Sequence, residues 1–163
     1  MAPFLIAALD TATHDRGRFN SGTQALDRYL REQAAQDIRR RAAACFVALA
    51  GSEQRIAGYY TLATASVPLA GLPDALRRKL PRYGAVPAIR MGRLAVDVAF
   101  QGQGLGGALL VNALRKAAAA EIPAAVLVVD AKDDRAAAFY RYHGFVCLPD
   151  SPLTLILPLA GVR

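Results

Sequence analysis

Seven consecutive residues, Gln101-Gly102-Gln103-Gly104-Leu105-Gly106-Gly107, combine glycines with the start of an apolar helical pattern. Glycines there let a backbone approach a ligand closely, and the first N–H groups of a helix have no acceptor within it. Those donors, with the positive end of the helix dipole, suit a phosphate. Leu94, Ala95 and Val96 upstream read as the end of an apolar strand, and Leu105, Leu109 and Ala113 share one helical face. The chemistry this spacing supports is a pyrophosphate cradle at a strand-to-helix turn. A second cluster, Phe139-Tyr140-x-x-x-Gly144-Phe145, closes a helical stretch and carries a phenol. With an ordinary pKa of about 10, Tyr140 can protonate a departing thiolate of lower basicity. The competing role is a core tyrosine with its hydroxyl satisfied inside the protein.

Two kinds of cradle compete. Gly102-x-Gly104-x-x-Gly107 matches a dinucleotide fingerprint, and Asp130 ends the next apolar run as a ribose-binding acid would. Against it, residues 97–101 separate the strand from the glycines, the acid falls late, and too little chain follows for a doubly wound sheet. A Walker A loop is excluded because no Gly-Lys-Ser/Thr follows. The alternative is the pattern Gln101-x-x-Gly104-x-Gly106, followed by a strand at Val126–Asp130, a helix over residues 133–142, and the Phe-Tyr-x-x-x-Gly-Phe ending. In that order the two motifs resemble those of the GNAT acyltransferase superfamily, whose coenzyme A site they build. The resemblance implies an α/β (α+β mixed) fold with a central, mixed, mainly antiparallel sheet flanked by helices, and acetyl-CoA as the acyl donor. It places Leu94, Ala95, Val96, Gln101, Gly102, Gln103, Gly104, Leu105, Gly106, Gly107, Asp133 and Phe139 around the cofactor, with Tyr140 catalytic. Where relatives often carry Asn, this chain has Asp133, which accepts a hydrogen bond but donates none when ionised.

The surrounding elements read as a single domain over residues 1–163. Residues 4–9 form a strand. Ser21 caps a helix, with Gln24 completing a capping box, and Leu26, Leu30, Ala34 and Ile38 repeat as one buried stripe. Asp27 and Arg31 are spaced as an ion pair, and Arg39, Arg40 and Arg41 end the helix where cations are favoured. Residues 43–50 and 55–67 form a hairpin through Gly51-Ser52-Glu53-Gln54, and residues 72–80 read as a helix between Pro73 and Pro81. A strand over residues 87–96 enters the cradle, and residues 152–159 form the last strand. Hydrophobic content of 54% and a mean hydropathy of +0.23 exclude a disordered chain. Cys45 and Cys147 have neither disulfide nor zinc spacing. No metal site, secretory signal or membrane span is expected, so the location is cytoplasmic.

The net charge is +7, and only Lys79, Lys116 and Lys132 of the 20 basic residues are not arginine. Arginine excess follows either from a GC-rich genome or from a polyanionic partner. Further pieces narrow the resemblance: Phe19-x-Ser21-Gly22-x-x-x-Leu26-Asp27-x-Tyr29-Leu30, Gly58-Tyr59-Tyr60-x-Leu62, Leu80-Pro81-x-Tyr83, Arg93-Leu94-Ala95-Val96-Asp97 and Val129-Asp130-Ala131. Together they are similar to the acetyltransferase toxins of bacterial toxin–antitoxin pairs that acetylate aminoacyl-tRNA. That resemblance implies acetylation of the α-amine of charged tRNA, which blocks translation, together with a ribbon-helix-helix antitoxin and a homodimer. A small-molecule amine or a protein N-terminus is the alternative acceptor. Scarcity of bases agrees with an α-amine: at a pKa of about 8 it is partly neutral at pH 7, whereas a lysine at about 10.4 is not. A water relay from Asp97 or a backbone carbonyl is the other way to dispense with a side-chain base. Arg77, Arg78, Lys79, Arg82, Arg90 and Arg93 are the candidate tRNA contacts, against a solvated helix face for Arg77, Arg78 and Lys79, and a bracing role or an Asp97 pair for Arg93.

Overall fold

Alternating and continuous apolar runs separated by turn residues fold here as seven strands and five helices in the computed structural model, which describes residues 4–51 and 54–162. The order is β1 (Phe4–Ala8), α1 (Gln24–Glu32), α2 (Ala34–Arg39), β2 (Ala44–Ala50), β3 (Arg55–Pro68), α3 (Asp74–Arg77), β4 (Ala85–Val96), α4 (Leu105–Ala118), β5 (Val126–Asp130), α5 (Asp134–Tyr142), β6 (Val146–Leu148) and β7 (Ser151–Pro158). Strands follow one another across the sheet as β1-β2-β3-β4-β5-β7-β6. The pairs β1–β2, β2–β3, β5–β7 and β6–β7 are antiparallel and β4–β5 is parallel. This is the mixed, mainly antiparallel sheet expected. It leaves no place for a doubly wound dinucleotide fold, whose sheet is parallel throughout its core.

Two compact units make up the chain, Met1–Ala63 with Gly92–Ala113, and Thr64–Met91 with Leu114–Arg163. In the first, the strands pack Val47, Ile56 and Tyr59 against Phe19, Leu30 and Ala34, with Leu26 and Ile38 partly buried alongside. The fourfold stripe therefore faces one core, although the helix is broken at Gln33 into α1 and α2. In the second, Val126, Val128 and Ile156 of β5 and β7 pack with Val67, Leu76, Leu80 and Val86. Beyond its ladder with β5, which runs from Ala88↔Val126 to Met91↔Val129, β4 continues into the first unit.

Several local expectations are corrected. The residue preceding α1 is Thr23, not Ser21, and it makes no side-chain cap. Ser21 instead donates its hydroxyl to Asp27 Oδ1 at 2.6 Å and accepts from Thr23 N–H at 3.1 Å, a local turn that competes with capping. Asp27 is thereby buried, and the surface ion pair of α1 is Arg28–Glu32 at 3.6 Å rather than Asp27–Arg31. The helix expected over residues 72–80 is only the single turn α3, because Pro73 starts it and Lys79 and Leu80 continue in tighter turns. The short strand β6 follows Phe145, and Ser52 and Glu53 of the hairpin lie outside the described residues.

Candidate active site

The connection from β4 to α4 is fixed by its own polar groups. Asp97 N–H bonds the Ala57 carbonyl at 2.8 Å. The Asp97 carboxylate accepts from Asn20 N–H at 2.9 Å and, as cap of a short 3-10 turn at Val98–Phe100, from Ala99 N–H at 2.9 Å. Arg55 lies 3.7 Å from the same carboxylate, its guanidinium over the Phe100 ring at 4.9 Å. Asp97 is only 2% exposed and fully engaged, so it is a strut of the loop. Its expected part in a water relay is withdrawn, and Arg93 does not pair with it.

Gln101 closes this connection by donating its amide to the Val96 carbonyl at 2.9 Å and the Ser21 carbonyl at 3.1 Å. Gly102 and Gly104 both hold φ of +80°, and a Cβ on either would meet nothing within 4 Å. Glycine is therefore demanded by backbone conformation, not by crowding. Leu105, 3% exposed, anchors the first turn of α4, which also contains the half-buried Gly106 and Gly107. The first bond into the helix is Ala108 N–H to Gly104 carbonyl at 3.1 Å, so the amides of residues 105–107 precede any intrahelical acceptor. Leu94 and Val96 are half-buried and Ala95 is buried at the end of β4, while Gln103 is exposed. The first unit thus assembles every strand and loop residue expected to hold the cofactor.

The second unit carries the phenol. Asp133 caps α5 by accepting from Ala136 N–H at 2.8 Å, and it remains exposed. Phe139 is half-buried, edge-on to Tyr140 and His143 at ring separations of 5.3 and 4.8 Å. His143 terminates α5, as expected. Tyr140 is 7% exposed. Four tyrosines are buried, and three have their hydroxyls satisfied: Tyr29 by Asp37 at 2.7 Å, Tyr59 by the Leu26 carbonyl at 2.6 Å and Tyr60 by Asn112 at 2.5 Å. No protein partner is found for the Tyr140 hydroxyl among the described residues, and its oxygen is not one of the sealed, unbonded atoms. The ring is buried while the hydroxyl tip reaches solvent. Burial, and then the nearby Asp130 carboxylate, push the phenol up to about 12, so it keeps its proton at neutral pH.

The basic residues divide. Arg77, Arg78 and Arg82 line one open depression of about 490 Å³ with Leu69 and Asp74, the last paired with Arg77. Lys79 borders a different, apolar depression with Leu80, Pro81, Pro158 and Leu159. Arg90 is ion-paired with Asp130, which also accepts from Thr154 Oγ1 at 3.2 Å. Arg93 lies over the Tyr29 ring, its guanidinium carbon 3.5 Å from the centroid, which favours the bracing role. Sequence reasoning missed the Arg55–Asp97 and Arg90–Asp130 pairs and the ties from Asn20 and Ser21. Charge and spacing carry no signal for partners so far apart in sequence.

Comparison with known proteins agrees with this geometry. The Acetyltransferase (GNAT) family profile matches residues 9–145. A tRNA-acetylating toxin of Mycobacterium tuberculosis (strain ATCC 25618 / H37Rv) is 38% identical over 99% of this chain and 94% of its own length. The structure of AtaT complexed with acetyl-methionyl-tRNAfMet superposes with a TM-score of 0.88 at 29% identity, covering 96% of this chain and 95% of that one. A mutant AtaT toxin bound to the C-terminus of the antitoxin AtaR and acetyl-CoA gives 0.82 at 25% identity, covering 98% and 95%. From the glycine loop through the closing Phe-Tyr-x-x-x-Gly-Phe helix, the chain belongs to the GNAT acetyltransferase family.

Proposed function

We propose that this protein transfers the acetyl group of acetyl-CoA to the α-amine of the amino acid on charged tRNA and so stops translation. The observation that carries the chemistry is Tyr140, a buried tyrosine whose hydroxyl bonds no group among the described residues and whose pKa burial pushes up to about 12. A hydroxyl tip that reaches solvent with no protein partner is free to donate to a bound ligand. In the reaction the amine nitrogen attacks the thioester carbonyl, the carbon–sulfur bond breaks, and the sulfur takes the Tyr140 proton. The proton released by the acylated nitrogen restores the phenol. Amide groups at Leu94, Ala95 and Val96 steady the carbonyl oxygen, and the amides of residues 102–107 hold the pyrophosphate. No side-chain base is required, since an α-amine is already partly neutral at physiological pH.

Charged tRNA as the acceptor is supported by the relative named for tRNA acetylation and by the acetyl-methionyl-tRNA in the AtaT structure. The depression lined by Arg77, Arg78 and Arg82 would take acceptor-stem phosphates. With Arg90 and Arg93 engaged on Asp130 and Tyr29, those two would contribute by bracing rather than by contact. A ribbon-helix-helix antitoxin, a homodimer and a cytoplasmic setting complete the reading, supported by the toxin resemblance. No helix among the described residues is long and apolar enough to cross a membrane.

Labelled acetyl-CoA incubated with total charged tRNA, wild type beside Tyr140→Phe, tests this. Label on the aminoacyl group, reduced about 100-fold or more in the variant, is expected for loss of a general acid. Bound acetyl-CoA with no label on any charged tRNA would refute the acceptor.

A further inference from the structure

Gln101 matches the cofactor motif, yet its side chain is committed to the protein. A carboxamide has two N–H donors, and those of Gln101 reach the Val96 carbonyl at 2.9 Å and the Ser21 carbonyl at 3.1 Å. The turn it grips is itself held. Ser21 N–H and Oγ both donate to Asp27 Oδ1, at 2.9 and 2.6 Å, and Asp27 is a buried residue of α1. Asn20 Oδ1 accepts from Gly22 N–H at 3.0 Å, with Gly22 at φ +88°. Two further ties run alongside: Asn20 N–H to the Asp97 side chain at Oδ2, 2.9 Å, and Val98 N–H to the Asn20 carbonyl at 2.8 Å. Gly102 and Gly104 follow directly, with open space where side chains would be, so packing does nothing to hold them.

We infer that Gln101 is a positioning residue: it locks the glycine loop to the 20–22 turn anchored on α1, and so presets the loop amides for the donor's pyrophosphate. This rests on the reading that residues 101–107 hold acetyl-CoA. A loop of two left-handed glycines has many conformations open to it when free, and each that is removed before binding improves affinity. A consequence is that the α1 turn and the donor loop respond together. A perturbation of the turn registers as a change in donor affinity.

Chemistry separates this clamp from a ligand contact. Gln101→Glu keeps the shape but offers carboxylate oxygens to two carbonyls. Gln101→Ala removes the donors, and Gln101→Arg restores them with N–H groups able to bridge two carbonyls. Acetyl-CoA affinity by titration calorimetry, with melting temperature and kcat at saturating acetyl-CoA, reads the outcome. Expected is a Kd raised about 10-fold in the Glu and Ala variants, or about 1.4 kcal/mol. Arg should stay within about threefold of wild type, and in the Glu and Ala variants the loss of affinity should exceed both any fall in kcat at saturating acetyl-CoA and any unfolding at the assay temperature. Ala or Glu binding as tightly as wild type, or Arg failing to recover affinity, overturns the clamp. Wild type that binds no acetyl-CoA at all overturns instead the underlying assignment of the loop.

Discussion

Gly58 sits in β3 where there is no room for a side chain, and Gly58→Ala shows how tightly the site is built. A Cβ placed there comes within 2.8 Å of Leu109 Cδ1, 3.0 Å of the Ala95 carbonyl oxygen and 3.4 Å of Leu105 Cδ2. Ordinary contact is about 3.5–4.0 Å. Leu109 can rotate, but Ala95 is main chain in β4 and Leu105 opens α4, so β3 must move away from the strand and helix that frame the glycine loop. Overpacking of this kind costs about 1–3 kcal/mol, and for a chain of this size each kcal/mol lowers Tm by about 2–4 °C. We expect a Tm about 2–12 °C below wild type by circular dichroism, with acetyl-CoA affinity lowered beyond any unfolding at the assay temperature. A variant that melts within 1 °C of wild type and binds acetyl-CoA equally would refute the close-packed arrangement of Gly58, Ala95, Leu105 and Leu109.

Other outcomes follow from the same structure. Tyr140→Phe should melt like wild type while losing acetyl transfer, whereas Tyr59→Phe, which orphans the Leu26 carbonyl, should lose about 1–2 kcal/mol in denaturant unfolding. Because Tyr140 is protonated in the folded state up to about pH 12 but only to about 10 when unfolded, the folded state binds more protons between those values. Its contribution to stability is complete below pH 10 and is lost as pH rises through 12, so alkaline melting curves of Tyr140→Phe should fall less steeply in that window. For the same reason kcat/KM should rise as the α-amine loses its proton near pH 8 and should not decline by pH 10, with spontaneous thioester hydrolysis subtracted. Replacing Arg77, Arg78 and Arg82 together by Ala should flatten the dependence of log Kd for tRNA on log salt by roughly two, read by filter binding across salt concentrations.

Much of this was legible in the chain. Leu105, Leu109 and Ala113 marked the buried face of α4 by spacing alone, and Val126–Asp130 is a strand with the expected bounds. The glycine loop was legible because its requirements are local: glycines at positive φ, then a helix. Long-range polar partnership was not. Asp97 looked like a candidate acid–base group until Arg55, Asn20 and Ala99 were seen to occupy it, and Asp27 looked like a surface ion-pair partner until Ser21 buried it. Residues 72–80 carried a helical composition, but prolines at both ends and a core that needed only Leu72, Leu76 and Leu80 left a single turn. The exposed tip of Tyr140 was beyond sequence too, since a satisfied and an unsatisfied phenol are written with the same letter.

The division of the chain into interleaved units bears on its own synthesis. The first unit needs Gly92–Ala113, and the second is completed by segments beyond it. Antiparallel β7 must reach β5 before that strand has both neighbours, so this pairing waits until residues 151–158 are made. An emerging chain on the ribosome therefore carries β1, β2 and β3 before it carries α5 and β7. Tyr140 enters the chain only after every segment of the first unit has been made.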